Sequence, residues 1–121
     1  MKFHLSQAQG HVVTGVGPGW VRIGADDHRT SFVVAPDVVI DPWAATFEAL
    51  DEAHFESVQA LAPEIVLLGT GARQRFPHPR LYRSLTDARI GVEIMDTNAA
   101  ARTYNIIAAE GRRVAAALIL P

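Results

Sequence analysis

Two short polar groups follow apolar runs in the second half of the chain. The first is a Gly-Thr-Gly turn after residues 64–68, and the second is an Asp-Thr pair after residues 91–95. Such a turn lets backbone N–H groups approach an anion, and an Asp at a helix start can act as a general base. If the two strands are neighbours, Thr70 and Asp96 face one crevice. The candidate ligand-binding residues are Gly69, Thr70, Gly71, Asp96, Thr97, Arg102 and Asn105.

Each of these groups also has a simpler interpretation. A dinucleotide fingerprint needs a third glycine, but Gln74 occupies that place, and the Gly-Lys-Ser/Thr of a P-loop is missing too. The first group is then only a tight turn. Asp96 or Thr97 has the residue type that caps a helix, which stabilises it by about 1 kcal/mol. The sequence favours the turn and the cap over a ligand site.

A basic segment follows the turn. In residues 73–89, here called the arginine segment, five arginines stand against the single acid Asp87. With aromatic residues interleaved, the segment could grip an acidic partner or a phosphate if the arginines converge. Otherwise it is a solvated loop and helix face. The candidate partner surface consists of Arg73, Arg75, Phe76, Arg80 and Arg83.

Other catalytic and metal chemistry has little support. The chain has no cysteine, which excludes thiol catalysis, Cys-ligated zinc and disulfides. The serines lack a nucleophile elbow, and the histidines lack the short spacing of a metal site. These histidines are His4, His11, His28, His54 and His78. We therefore expect no catalytic residues, no metal and no cofactor, and the protein is more plausibly not an enzyme.

The composition predicts one small soluble domain over residues 1–121. Lys and Arg number 11 against 13 acids, for a net charge of −2. That balance argues against binding to nucleic acid or to an anionic membrane surface. Residues 1–10 lack the apolar run of a secretory signal, and residues 114–120 are too few to span a bilayer. We expect a cytoplasmic protein with no direct membrane insertion.

The first forty residues have the pattern of antiparallel hairpins. Apolar runs at 12–16, 20–23, 31–35 and 38–40 are separated by Gly, Pro and Asp clusters, and Asp26, Asp27 and His28 form one such break.

From about Thr46 the period becomes helical, and Pro63 ends this first helix. A strand over 64–68 follows, and His78 and Pro79 begin a second helix. A strand over 91–95, a helix from Asp96–Thr97 to Glu110 and a strand over 114–120 complete the chain. We predict an α/β fold with a mixed central sheet, flanked by helices and extended by the N-terminal hairpins.

Two blocks of this sequence carry a family resemblance. They are IVLLGTG at 65–71 and GVEIMDTNAAARTYNIIAAEG at 91–111, and together with their spacing they resemble the Mth938-like domain family over nearly the whole chain. The resemblance implies a small single-domain α/β protein with a mixed sheet. It implies no catalytic residues, only motif membership. The motif positions are Gly69, Thr70, Gly71, Asp96, Thr97, Arg102, Tyr104, Asn105, Glu110 and Gly111.

Two hypotheses about function follow. A mitochondrial relative in animals is an assembly factor for respiratory complex I, so the resemblance implies a non-enzymatic interaction or assembly factor with protein partners. These partners would include respiratory-complex subunits. The alternative is a small-molecule or anion-binding protein, or an enzyme, that uses the crevice between the Gly-Thr-Gly turn and Asp96. An exposed apolar patch beside the arginines would favour the partner, and a deep polar pocket would favour the ligand. The oligomeric state stays open.

Overall fold

Two β-sheets and three α-helices make up the described part of the protein. A computed structural model describes residues 10–121. Residues 1–9, which include His4 and most of the segment expected to lack a signal sequence, lie outside the described residues. The strands are β1 (Val13–Gly17), β2 (Trp20–Ile23), β3 (Asp26–His28), β4 (Phe32–Ala35), β5 (Val38–Ile40), β6 (Ile65–Thr70), β7 (Gly91–Met95) and β8 (Val114–Ile119). The α-helices are α1 (Glu52–Gln59), α2 (Arg83–Asp87) and α3 (Thr97–Ala109).

The first three strands form a separate antiparallel sheet in the order β1-β2-β3, whereas the predicted strands at 31–35 and 38–40 form a hairpin that belongs to the main sheet. Asp26–His28, expected to be a break between strands, is itself the edge strand of this sheet. The break was predicted because Asp is rare in strands. The three residues pair with Val21, Arg22 and Ile23, and both aspartates point to solvent.

The main sheet has five strands in the order β5-β4-β8-β6-β7. Strands β8, β6 and β7 are parallel, β4 pairs antiparallel with β8, and β5 pairs antiparallel with β4. This confirms the mixed central sheet. β6 lies between the other two parallel strands and extends through Thr70, beyond the predicted end at Leu68. It is longer because Gly69 and Thr70 still pair, Gly69 with Met95 and Leu118, and Thr70 with Ile119.

Successive residues of the central strands alternate between two hydrophobic cores. Val33, Leu68 and Ala117 face the core under α1 and α2. Val34 and Leu67 face the core under α3 and the three-stranded sheet. Because both faces are covered, the central strands are continuous apolar runs. The hairpin sheet thus covers one face of the main sheet as an extra layer, as predicted.

Helix α1 begins at Glu52, later than the periodicity predicts. Asp51 is its N-cap: its carboxylate accepts from the His54 N–H at 3.2 Å, and the His54 ring accepts from the Asp51 N–H at 3.1 Å. This reciprocal capping box sets the start of the helix. Phe47 and Leu50, which extended the apparent helical period, lie in turns before the cap and still pack against the core.

The segment after β6 starts its helical part as predicted. The His78 ring accepts a hydrogen bond from the Arg80 N–H at 3.1 Å, and Pro79 occupies the first helical position. A 3₁₀ turn, Pro79–Tyr82, precedes α2. None of the helices within residues 10–121 has the length and apolar character needed to cross a membrane.

Candidate functional site

The Gly-Thr-Gly turn ends the central parallel strand between the ends of its two neighbours. A Cβ atom on Gly69 would lie 2.9 Å from the Thr97 hydroxyl and 3.0 Å from a Leu118 methyl group, so only glycine fits there. Gly71 has a φ of +98°, which turns the chain away from the sheet. These two glycines therefore have packing and conformational roles.

Thr97 joins three elements through its hydroxyl group. It donates a hydrogen bond to the Ile119 carbonyl at 2.5 Å and accepts one from the Gly71 N–H at 2.8 Å. Its own N–H donates to the Gly71 carbonyl at 2.9 Å, and the residue is fully buried. The first turn of α3 is thereby fastened to the ends of β6 and β8.

Thr70 is also buried and bonded within the protein. Its hydroxyl lies 2.7 Å from the Arg73 carbonyl and 3.2 Å from the Met95 carbonyl, and it accepts from the Arg75 N–H at 3.0 Å. A hydroxyl has a single proton, and the shorter contact identifies the Arg73 carbonyl as its main acceptor. Thr70 therefore shapes the start of the arginine segment.

Asp96 lies at the same edge of the sheet and caps α3. Its carboxylate accepts from the Ala99 N–H at 2.9 Å. Thr70 and Asp96 are thus close in space, as the neighbouring strands predict, and Met95 connects them. Each side chain bonds to backbone groups of the protein.

Arg102 and Asn105 lie farther along α3, against the hairpin sheet. The Asn105 amide accepts from the Val13 N–H at 2.9 Å and donates to the Val13 carbonyl at 2.8 Å, as a neighbouring strand would. Arg102 is exposed and lines a shallow 250 Å³ cleft beside Gly15 and Val16. The structure therefore divides the predicted group between the sheet edge and β1.

The arginine segment exposes both an apolar side chain and several cations. Phe76 is 69% exposed, while its neighbour Pro77 is buried and anchors the loop. Arg73, Arg80 and Arg83 are exposed, and none forms a salt bridge within residues 10–121.

Arg75 differs from the other arginines of this segment. Its guanidinium donates to the Glu48 carboxylate at 2.8 Å and lies 4.2 Å from the centre of the Phe47 ring. The hydrogen bond from Arg75 lowers the pKa of the Glu48 carboxyl group below its usual value. Neither Phe47 nor Glu48 was identified from the sequence, since both precede Arg75 by more than twenty residues.

A second polar group that the sequence did not indicate joins the two sheets. The His28 ring lies 2.5 Å from one oxygen of Asp41, and the Thr30 hydroxyl donates to the other. The same ring stacks on Phe32 at 4.4 Å. Within residues 10–121 no three His, Asp or Glu side chains gather in a way that could hold a metal ion.

Comparisons with known proteins agree on one family. Residues 13–119 match the family described as "Protein of unknown function (DUF498/DUF598)". A crystal structure of a Bordetella parapertussis protein is 38% identical, with a TM-score of 0.84 over 92% of this chain and 96% of that one. The solution structure of a Mth938-like domain from Bordetella pertussis is 31% identical, with a TM-score of 0.82 over 93% of this chain and 87% of that one.

One group of relatives is named as an assembly factor of NADH dehydrogenase. The mouse "NADH dehydrogenase [ubiquinone] 1 alpha subcomplex assembly factor 3" is 34% identical over 91 residues. That match covers 74% of this chain and 49% of the mouse protein. The chain thus spans about half the length of this relative.

Proposed function

This chain belongs to the DUF498/DUF598 family of Mth938-like domains, and from that premise we propose that it is a non-enzymatic interaction protein. Its proposed role is to assist the assembly of a membrane-associated respiratory complex, with subunits of that complex as partners. The name of the mouse relative supports this role. The observation that carries the proposal is the exposed Phe76 in the same segment as three exposed arginines, Arg73, Arg80 and Arg83, that form no salt bridge within residues 10–121.

The proposed contact surface consists of Arg73, Phe76, Arg80 and Arg83. Arginine and aromatic residues are enriched where proteins bind one another, and a single aromatic anchor often dominates the binding energy. Binding of a partner that removes the exposed Phe ring from water lowers the free energy of the complex. The exposed guanidinium groups of the same segment select an acidic partner, because opposite charges attract and like charges repel.

The remaining predicted residues have supporting roles in this proposal. Gly69, Thr70 and Gly71 are buried and hold the start of the arginine segment in place. The Arg75 side chain is directed to Phe47 and Glu48, so its backbone N–H rather than its guanidinium helps to position the segment. The partner therefore contacts the residues beyond the turn.

A deletion strain of the source organism tests this function. The strain is complemented with the wild type, Phe76→Ser or the double variant Arg80→Glu/Arg83→Glu. The assembled NADH–quinone oxidoreductase is measured on native gels and by NADH oxidation in membranes. We expect the wild type to restore assembly and both variants to lose most of it, because each removes part of the contact surface.

A matched control separates this surface from a general charge effect. Arg112→Glu/Arg113→Glu makes the same change in charge just before β8, where both arginines form exposed ion pairs with Glu64 and Arg113 also donates to the Ala62 carbonyl. This control should restore assembly. Full restoration by Phe76→Ser and by Arg80→Glu/Arg83→Glu, with all proteins equally abundant, would contradict the proposal.

A further inference from the structure

A cavity of about 540 Å³ lies beside the turn, at the carboxyl end of β8. Its volume is in the range of small-molecule sites, roughly 300–1,000 Å³. The loops before β4 and after β5 form two of its walls, and the arginine segment contributes Arg75. The residues on which the inference rests are Arg29, Trp43, Phe47, Glu48, Arg75 and Ile119.

Arg75 is held in position before any ligand arrives. Its backbone N–H donates to the buried Thr70 hydroxyl at 3.0 Å, and its guanidinium stacks 4.2 Å from the centre of the Phe47 ring. Only 30% of its side chain is exposed. A guanidinium fixed in this way loses little conformational entropy when it binds an anion, and its fork of donors matches a carboxylate.

The contact with Glu48 shows that this guanidinium binds a carboxylate. The Glu48 carboxylate receives the 2.8 Å hydrogen bond from Arg75, although 71% of the Glu48 side chain is exposed. Water solvates the Glu48 carboxylate well, so its release from Arg75 costs little free energy. A carboxylate from solution can therefore replace that of Glu48 on Arg75.

The rest of the cavity combines one more cation with an apolar wall. Arg29 lies on the rim, with 68% of its side chain exposed and its guanidinium 3.6 Å from Asp27. The apolar lining includes Pro42, Trp43, Phe47, Ile119 and Leu120. Two arginines against Glu48 leave the lining with a net positive charge. An anion with an apolar group fits this lining better than a fully hydrated inorganic ion.

We propose that this cavity binds a small organic carboxylate that carries an apolar or aromatic group. The carboxylate takes the place of Glu48 on Arg75, and the apolar group lies against Phe47 and Ile119. This site is separate from the proposed partner surface, because none of the four residues of that surface lines the cavity. Its test is therefore independent of respiratory assembly.

Titration of the isotope-labelled full chain with benzoate, acetate and inorganic phosphate tests the site by NMR. We expect benzoate to cause saturable shifts of the Arg75 side-chain N–H and the Ile119 methyl signals. Acetate should bind about tenfold more weakly, because it lacks the ring, and phosphate should cause no saturable shift there. Absence of saturation with benzoate, or shifts scattered over the surface, would overturn the proposal.

Two variants should change the benzoate affinity in opposite directions. Arg75→Gln removes the guanidinium and should weaken binding at least tenfold, whereas Glu48→Gln removes the competing carboxylate and should strengthen it about threefold. If Arg75→Gln disturbs the fold, Arg75→Lys tests the fork geometry, and Glu48→Gln leaves Arg75 intact. Tighter or unchanged binding by Arg75→Gln would overturn the proposal.

Matched controls separate a local effect from a change in overall charge. Arg113→Gln and Glu52→Gln make the same charge changes at residues that do not line the cavity. Both should bind benzoate with wild-type affinity. Equal effects in the controls and in the cavity variants would show general electrostatic attraction and would overturn the assignment of this site.

Discussion

The Gly-Thr-Gly turn and the arginine segment are consecutive in the chain, but the polar groups of the turn are buried and most arginines of the segment are exposed. In the turn, the Thr70 hydroxyl and the Gly71 N–H are buried and bonded within the protein, and the Thr97 hydroxyl completes the arrangement. In the segment, Phe76, Arg73, Arg80 and Arg83 face solvent. A polar motif thus contributes to stability where it is buried and becomes available for recognition where it is exposed.

This difference is measurable as free energy of unfolding. A buried donor or acceptor that loses its partner costs about 1–3 kcal/mol, because water no longer solvates it. Substitution of an exposed side chain changes the free energy of unfolding by only about 0.5 kcal/mol or less. Substitutions around the turn should therefore lower stability, whereas substitutions of the exposed Phe76, Arg80 and Arg83 should lower only binding.

Thr97→Val should have the largest effect. It leaves the Gly71 N–H and the Ile119 carbonyl without their buried partner, and we expect a loss of about 3 kcal/mol. Thr97→Ser keeps the hydroxyl group and should cost only about 1 kcal/mol, for the lost methyl group. Urea unfolding monitored by circular dichroism measures both. Equal losses would show that the hydroxyl group does not fasten the turn.

Tyr104→Phe should have an intermediate effect that depends on pH. The Tyr104 hydroxyl donates to the His11 carbonyl at 2.7 Å, so its removal should cost about 1 kcal/mol near neutral pH. Burial raises the pKa of Tyr104, and the Asp37 carboxylate raises it further.

The direction of the pH effect follows from the raised pKa. The unfolded tyrosine ionises from about pH 10, while the folded one stays protonated. The folded state then binds more protons, so wild-type stability should fall as the pH rises above about 10. Tyr104→Phe lacks this dependence, and the stability difference between the two proteins should narrow there. Urea unfolding between pH 7 and pH 11 measures it, and a constant difference would contradict the prediction.

Asp96→Ala should cost about 1 kcal/mol, because it removes the cap on the Ala99 N–H. Asp96→Asn keeps a capping oxygen and should be nearly neutral. Thermal and urea unfolding of the two variants separates the effect of the capping oxygen from that of the negative charge. If Asp96→Asn loses as much stability as Asp96→Ala, the negative charge rather than the capping oxygen matters.

Phe76→Ser should have the smallest effect on stability, within about 0.5 kcal/mol of the wild type. Its ring is exposed and contributes little to the core. The urea midpoint of the variant, measured beside the assembly assay, separates folding from recognition. A loss above about 1 kcal/mol would mean that Phe76 packs against the protein and would remove the contrast between the turn and the segment.

Much of the architecture could be predicted from the sequence because local rules dominate there. Asp96 at the start of α3 and His78 before Pro79 have the predicted capping geometry. The apolar runs of β6 and β8 predicted central strands, since strands covered on both faces have no polar side. Helix α1 was predicted too long because Phe47 continues its period by chance, and a cap decides the boundary instead.

Which residues of α3 are buried depends on its contact with the three-stranded sheet, and the periodicity of the helix does not show that contact. Ala101 in this helix is almost fully buried. The three-stranded sheet packs beside the helix and widens its buried surface, and Asn105 bonds to Val13 across 92 residues. No local pattern records such a distant partner.

By itself, the sequence determined the mixed α/β fold, its family and the positions of most strands and helices. These follow from periodicity, caps and glycine positions within short stretches of chain. Only the tertiary structure decided which polar groups are buried. It directed Thr97 into the sheet edge, left Phe76 in solvent and placed Arg75 over Phe47. The physical reason is that the burial and the hydrogen-bond partners of a side chain depend on residues that are distant in sequence, and no local pattern contains them.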